Sequence, residues 1–154
     1  MLSLKNSLYV GEFQHNLDSK NRLTIPSKWR FSGDDGESVY LALPNPVGCV
    51  TIYPPKMLDR LDAKVSEVSL GDRKAQKALT KLFSKADHFG CDKQGRINLN
   101  EYLIGHSGLD KEVVLVGNFA TFSIWNPKNY RNYLENEDMG EDDEMSKILK
   151  ELGV

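Results

Sequence analysis

Two aspartate–arginine pairs at one spacing are the residues of this sequence that could do specific chemistry. Asp18 precedes Arg22 by four residues, Asp92 precedes Arg96 by four residues, and the pairs lie 74 residues apart. A carboxylate so close to a guanidinium can form an ion pair that braces a turn. A guanidinium can also clamp a phosphate or lie across the O6/N7 edge of a guanine. The spacing leaves both interpretations open, a structural brace and a nucleic-acid contact.

Both pairs belong to a longer repeated pattern, which runs over Leu17–Arg30 and again over Cys91–Ile104. A repeat at a fixed offset predicts two copies of one structural unit. Asn21 in the first copy stands where the second copy has Gly95. Asparagine and glycine adopt positive φ angles more readily than other residues, so we predict a left-handed turn residue just before each arginine.

Apolar runs around the two turns predict strands in the same order in each half. The first strand is predicted at Leu8–Phe13, and Leu23–Ile25 follows the first turn. Two later strands recur in each half, namely Val39–Leu43 with Val113–Gly117 and Val50–Tyr53 with Phe122–Trp125. The repeated unit is therefore strand, turn, strand, helical turn, strand, strand and helix, which predicts an α+β fold.

Helices are predicted after the strands of each half. Pro26 should open a short helix over Ser27–Arg30, and Asn100 should cap another over Glu101–Ile104. Pro55 and Pro127 each open a longer helix. Asp72–Ala86 is predicted to be a helix with one apolar face and one basic face, the latter formed by Arg73, Lys74, Lys77, Lys81 and Lys85. A last amphipathic helix is predicted around Met145, Ile148, Leu149 and Leu152, with Gly153 at its end.

We expect one fused domain over residues 1–154, because no flexible linker separates the halves. Its expected parts are a first repeat (8–70), a connecting basic helix (71–88), a second repeat (89–134), and an acidic segment with the C-terminal helix (135–154). The acidic segment holds eight acidic residues and two lysines, which leaves residues 1–134 with a net charge of +4. A mildly basic body permits a polyanionic partner and does not require one.

Several classes of function are not expected from this composition. No apolar run is long enough to cross a bilayer, no secretory signal is recognised, and two cysteines predict no disulfide framework. We therefore expect a cytoplasmic protein. His88 and Cys91 lack a second pair at zinc spacing, and neither a nucleophile elbow nor a phosphate-binding glycine loop is present. No catalytic, metal or cofactor site is predicted, and an enzyme is not expected.

The ordered set of motifs resembles the MraZ proteins. Besides the tandem Asp-x-x-x-Arg pairs, the resemblance rests on Asn21–Arg30, Gly108–Gly117 and Phe122–Pro127, and it extends from about Gly11 to Tyr133. It implies a bacterial transcriptional regulator, acting at the nucleoid as a repressor of the division and cell-wall gene cluster and of its own promoter. It also implies two AbrB-like DNA-binding units that interleave into a double-split β pseudo-barrel with flanking helices. Several chains would form a ring that binds tandem short DNA repeats.

Two positions depart from the usual pattern of that family. Asn21 replaces a glycine and Asn100 replaces a proline. Since asparagine can take the same turn and can cap a helix, we expect neither change to alter function.

The resemblance implies a DNA-binding surface around the arginines. The expected contacts with double-stranded DNA come from Arg22, Lys20, Asn21, Lys28, Arg30, Arg96 and Lys93, while Asp18 and Asp92 orient the arginines. The first copy is expected to contact DNA more strongly, because Tyr102 and Ile104 stand where it has Lys28 and Arg30. The alternative is an AbrB-fold, antitoxin-like module that binds a protein. Neither interpretation includes a membrane or a small-molecule substrate.

Overall fold

The structure is a computed structural model that describes residues 8–29, 39–90 and 92–136. The described residues form an α+β fold, as predicted. Its strands are β1 (Glu12–Asn16), β2 (Arg22–Thr24), β3 (Tyr40–Asn45), β4 (Cys49–Tyr53), β5 (Asp87–Phe89), β6 (Arg96–Asn98), β7 (Glu112–Gly117) and β8 (Phe122–Trp125). Its α-helices are α1 (Pro55–Ser66), α2 (Arg73–Phe83), α3 (Glu101–Ser107) and α4 (Pro127–Glu135), and a 3₁₀ helix covers Ser27–Trp29.

The strands form a six-stranded antiparallel sheet in the order β1-β7-β8-β4-β3-β5 and a separate two-stranded ribbon, β2-β6. Most of these pairings join one repeat to the other. β1 pairs with β7, β5 with β3, β4 with β8 and β2 with β6, whereas only the β3–β4 and β7–β8 hairpins stay within a repeat. The two repeats are therefore interleaved and share one core.

The core lies between the ribbon and the six-stranded sheet. Leu23 and Ile97 point inward from the ribbon and are at most 1% exposed. They join a buried cluster that includes Ile52, Leu115 and Phe122 from the sheet. Burying such apolar side chains is the main favourable term in folding, so this cluster fixes the ribbon against the sheet.

Trp29 anchors the 3₁₀ helix to this core. Its ring lies 5.6 Å from that of Tyr9, 5.1 Å from that of Phe13 and 5.0 Å from that of Phe122. Aromatic rings packed at such distances attract each other through edge and tilted contacts. The neighbouring Lys28 is exposed, so the buried tryptophan holds a surface lysine in place.

The first strand lies later in the chain than the predicted Leu8–Phe13. Gly11 has φ +98°, which interrupts the extended backbone, and β1 begins only at Glu12. Ahead of the glycine, Tyr9 makes a single β-bridge with Phe119. The apolar run Leu8–Val10 therefore does not mark the start of this strand.

The helix predicted over Asp72–Ala86 is shorter and is followed by a strand. Asp72 is its N-cap and accepts a hydrogen bond from the Ala75 N–H at 3.1 Å, and α2 ends at Phe83. β5 then pairs with β3 through Phe89 and Tyr40. The repeated unit predicts a strand ahead of the second turn without giving its residues, and β5 stands at the repeat offset from β1.

The predicted starts of three other helices are confirmed. α1 begins at Pro55 and α4 at Pro127, while Asn100 caps α3 by accepting a hydrogen bond from the Leu103 N–H at 2.8 Å. α3 runs past the predicted Ile104 to Ser107. The predictions for Arg30 and for the C-terminal helix lie outside the described residues. None of the helices in the described ranges is long and apolar enough to cross a lipid bilayer.

Candidate nucleic-acid interface

The first turn is built around the carboxylate of Asp18. Its Oδ1 accepts hydrogen bonds from the backbone N–H groups of Lys20 and Arg22, both at 2.9 Å, and its Oδ2 accepts one from Arg22 Nε at 2.8 Å. The Asn21 N–H donates to the Asp18 carbonyl at 3.0 Å, with Asn21 at φ +61°. The left-handed residue predicted before the arginine is confirmed.

The second turn repeats these contacts with its own residues. Asp92 Oδ1 accepts from the backbone N–H groups of Gln94 (2.9 Å) and Arg96 (2.8 Å), and Oδ2 accepts from Arg96 Nε at 2.8 Å. Gly95 takes the left-handed position at φ +77°. Asparagine and glycine thus serve the same backbone geometry in the two copies.

Hydrogen bonding keeps both carboxylates ionised. The backbone N–H of Arg22 is the largest influence that lowers the pKa of Asp18, and the side chain and charge of Arg22 lower it further. Arg96 lowers the pKa of Asp92 in the same order. Each arginine is therefore held by a negative charge through its Nε. Within the described residues, the terminal Nη groups of both arginines make no hydrogen bond and can reach a ligand.

The β2–β6 ribbon brings the two arginines onto one surface. Its register places Arg22 opposite Asn98 and Thr24 opposite Arg96. Because side chains alternate along a strand, these four point outward while Leu23 and Ile97 point into the core. We call Arg22, Thr24, Arg96 and Asn98 the ribbon face. Sequence reasoning found both arginines but not their adjacency, nor the two polar residues beside them.

The ribbon face has an approximate twofold relation between its strands. The repeat offset relates Arg22 to Arg96 and Thr24 to Asn98. The flanking hydrogen bonds obey the same relation, because the Ile25 N–H donates to the Gly95 carbonyl at 2.8 Å and the Leu99 N–H to the Asn21 carbonyl at 3.0 Å. One chain therefore presents two equivalent Asp-braced arginines.

The other predicted contacts surround this face unevenly. Lys20, Lys28 and Lys93 are exposed and Asn21 is half-buried, whereas Arg30 lies outside the described residues. Tyr102 takes the place of Lys28 in the second copy, but the Nζ atom of Lys85 lies 5.0 Å from its ring centre. A lysine from beyond α2 thus lies over the aromatic ring that replaces Lys28 in the second copy.

Lys111 is an additional basic residue that sequence reasoning missed. The Leu17 N–H donates to its carbonyl oxygen at 2.7 Å, which brings Lys111 beside the first turn. It is exposed and helps to line a groove of about 440 Å³ together with Leu17, Asp18, Ser19, Asn21, Ile104, Leu109 and Asp110. Only the β1–β7 pairing places it there, so no local sequence signal could have found it. In the described ranges, no cluster of three His, Cys, Asp or Glu residues could hold a metal ion.

Comparison with known proteins finds relatives over nearly the whole chain. A family model described as "MraZ protein, putative antitoxin-like" matches residues 82–150. The "Transcriptional regulator MraZ" of Lactobacillus gasseri is 35% identical over 136 residues, which cover 88% of this chain and 93% of that protein. The proteins of the same name from Clostridium acetobutylicum and Halothermothrix orenii are 30% and 29% identical over 147 residues, covering 96% of this chain and 100% of each relative. This chain belongs to the MraZ family.

Proposed function

We propose that this protein is a sequence-specific, DNA-binding transcriptional regulator and that the ribbon face contacts the DNA. One observation carries the proposal: Arg22 and Arg96 share one outward face, each fixed by an ionised aspartate through Nε and each with its Nη groups available. The relatives named as transcriptional regulators support the same conclusion.

The dimensions of the ribbon suit the major groove of DNA, which admits a two-stranded β-ribbon. An arginine held in a fixed orientation can donate two parallel hydrogen bonds to guanine O6 and N7. Because the aspartates already restrain the arginines, less conformational freedom is lost on binding. Lys20, Lys28 and Lys93 would then contact phosphates on either side and set the position of the protein on the duplex.

Both turns contact DNA in this proposal, and the first contributes more. Exposed lysines lie in or soon after each turn, Lys20 and Lys28 at the first and Lys93 at the second, and Lys85 lies over Tyr102 on α3. Lys111 adds positive charge beside the first turn, and Arg30 follows that turn in the sequence. Asn21 would contribute a contact from the turn itself.

The finer parts of the proposal concern assembly and regulation. The interleaved strands suit a double-split β pseudo-barrel, and several chains would assemble into a ring. A ring presents many ribbon faces at high effective concentration, so tandem short repeats would bind far more tightly than one repeat. The protein would act at the nucleoid, repressing the division and cell-wall gene cluster and its own promoter.

A mobility-shift assay on the DNA upstream of this protein's own gene, with one, two or three repeats, tests the proposal. We expect tight binding only with two or more repeats, and a steep loss of affinity as salt rises, because lysine–phosphate contacts release counterions. Arg22→Ala should lose most of the specific binding while size-exclusion chromatography shows the same assembly as the wild type.

Lys64→Ala is the matched control for the loss of one positive charge. Lys64 lies on α1 in an exposed ion pair with Glu67 at 3.9 Å, and such pairs contribute little. Its binding should equal that of the wild type. Wild-type binding by Arg22→Ala would exclude the arginine as a contact, and a flat salt response would exclude the phosphate contacts.

The second candidate is an antitoxin-like module that binds a protein, which the description of the matching family model favours. In that case the chain would bind a toxin-like protein and would not shift any fragment of the upstream DNA. The same assay, repeated with a purified toxin partner, separates the two functions.

A further inference from the structure

Asn98 lies on the ribbon face and makes no side-chain contact that the fold of the described residues requires. It is the last residue of β6, it is exposed, and its amide makes no hydrogen bond within the part of the chain that the structure describes. Asparagine is depleted in strands, whereas threonine is favoured there. The equivalent position on β2 is occupied by Thr24. The fold therefore does not require an amide at position 98, which leaves it available for a ligand.

The register places this amide directly beside Arg22. The pairs Asn21–Leu99 and Gly95–Ile25 are joined by hydrogen bonds of 3.0 and 2.8 Å. Hydrogen-bonded and non-hydrogen-bonded pairs alternate along an antiparallel ribbon, so Arg22–Asn98 and Thr24–Arg96 are the non-hydrogen-bonded pairs. In such pairs the Cα atoms lie only about 4.5 Å apart and the side chains are closest.

This spacing is close enough to the separation of stacked DNA bases for both side chains to reach adjacent bases. Successive base pairs are separated by about 3.4 Å, so two side chains from one non-hydrogen-bonded pair can reach neighbouring base pairs. The two cross-strand pairs are two residues apart along each strand, or roughly 6.7 Å, so they reach different base pairs. The ribbon face can thus contact a short run of consecutive base pairs.

The four side chains differ in the bases they select. Arginine pairs with guanine O6/N7, and asparagine pairs with adenine N6/N7 through two hydrogen bonds. Threonine offers one hydroxyl and one methyl group and accepts several bases. The twofold relation of the ribbon maps Arg22 onto Arg96, but it maps Asn98 onto Thr24. The arginines are therefore symmetric and the residues beside them are not.

We propose that Asn98 selects an adenine next to the guanine contacted by Arg22, whereas Thr24 leaves the corresponding position beside Arg96 permissive. The binding element of one chain then has a direction, although the backbone of the ribbon is nearly symmetric. This inference rests on the proposed DNA-binding function, since it assigns bases to the same face.

Selection from a library of randomised DNA duplexes tests the inference. The wild-type chain should enrich two guanine positions and one adenine beside only one of them. Asn98→Thr should keep the guanines and lose the preference for adenine by on the order of tenfold, which is the discrimination expected of one bidentate contact. Circular dichroism should show unchanged folding, because threonine is the better strand residue.

The double variant Thr24→Asn/Asn98→Thr is the matched control, because it exchanges the two residues without changing composition or charge. We expect it to move the adenine preference to the other guanine. An unchanged adenine preference in Asn98→Thr, or selection by the wild type of guanines alone, would overturn this inference and leave the proposed function standing. If the wild type enriches no sequence at all, the proposed function fails and the inference fails with it.

Discussion

Gly117, the last residue of β7, should not tolerate even a methyl group. A Cβ atom built there would lie 2.4 Å from the carbonyl oxygen of Tyr9, 2.5 Å from its carbonyl carbon and 2.6 Å from the nitrogen of Val10. These are backbone atoms and cannot rotate away. Gly117→Ala must therefore push the segment around Tyr9 off the sheet.

The size of the effect follows from the contacts of that segment. Tyr9 and Phe119 exchange two backbone hydrogen bonds of 2.8 Å, and the Gly117 N–H donates to the Gly11 carbonyl at 2.9 Å. Each such bond contributes about 1 kcal/mol, and overpacking alone costs about 1–3 kcal/mol. Tyr9 is also only 1% exposed. We expect Gly117→Ala to lower the free energy of unfolding by about 3 kcal/mol, or the melting temperature by roughly 6–12 °C for a chain of this size.

Thermal unfolding followed by circular dichroism measures the change, at one protein concentration because assembly shifts apparent stability. Gly105→Ala is the matched control, since Gly105 lies within α3 and nothing lies within 4 Å of its added Cβ. Alanine in a helix is favoured over glycine by about 0.5–1 kcal/mol, so this variant should melt at or above the wild-type temperature. If Gly117→Ala had the same melting temperature as the wild type, the close packing of the Tyr9 segment against Gly117 would be contradicted.

Three further predictions concern the turns and their supports. Asn21→Ala should lower the free energy of unfolding in urea by about 1 kcal/mol, because alanine does not readily adopt a φ of +61°. Asn21→Gly should have the stability of the wild type, and equal losses in both variants would contradict the backbone explanation. Asn100→Ala should cost about 1 kcal/mol in thermal unfolding by removing the cap to the Leu103 N–H, and unchanged stability would show that the cap is dispensable. The pKa of Asp18 is lowered in the folded chain. The contribution of Asp18 to folding stability is therefore complete above the ordinary carboxyl pKa and is lost as pH falls through the lowered value. Urea unfolding from pH 6 to 2 should therefore show a flatter acid decline for Asp18→Asn, and identical profiles would exclude this linkage.

Local signals allowed the turns to be predicted, because their geometry depends on residues within five positions. Asp18, Asn21 and Arg22 suffice to form the first turn through their own hydrogen bonds, and the second copy confirmed the pattern independently. The starts of α1 and α4 were equally local, since proline fixes the backbone at the first helical position.

Pairing between distant strands was beyond such reasoning. β5 has three residues, Asp87, His88 and Phe89, with no apolar alternation, and it is a strand because Phe89 pairs with Tyr40. The ribbon face likewise exists only because β2 pairs with β6, its counterpart in the other repeat. The first strand was misplaced because the φ of +98° at Gly11 outweighs the apolar run before it.

The interleaving of the repeats has a consequence for synthesis on the ribosome. β2 ends at Thr24 and cannot find its partner until β6, which begins at Arg96, has been made. At roughly 5–20 residues per second this delay lasts about 4–15 seconds. During it the first repeat lacks its ribbon partner, and the strands β7 and β8 are made later still. The nascent first half therefore exposes unpaired strand edges, and native pairing between the repeats must begin after most of the chain has emerged. Slowing translation within the first repeat should add no sheet structure beyond the β3–β4 hairpin, whereas chaperones that shield exposed edges should raise the yield of folded protein.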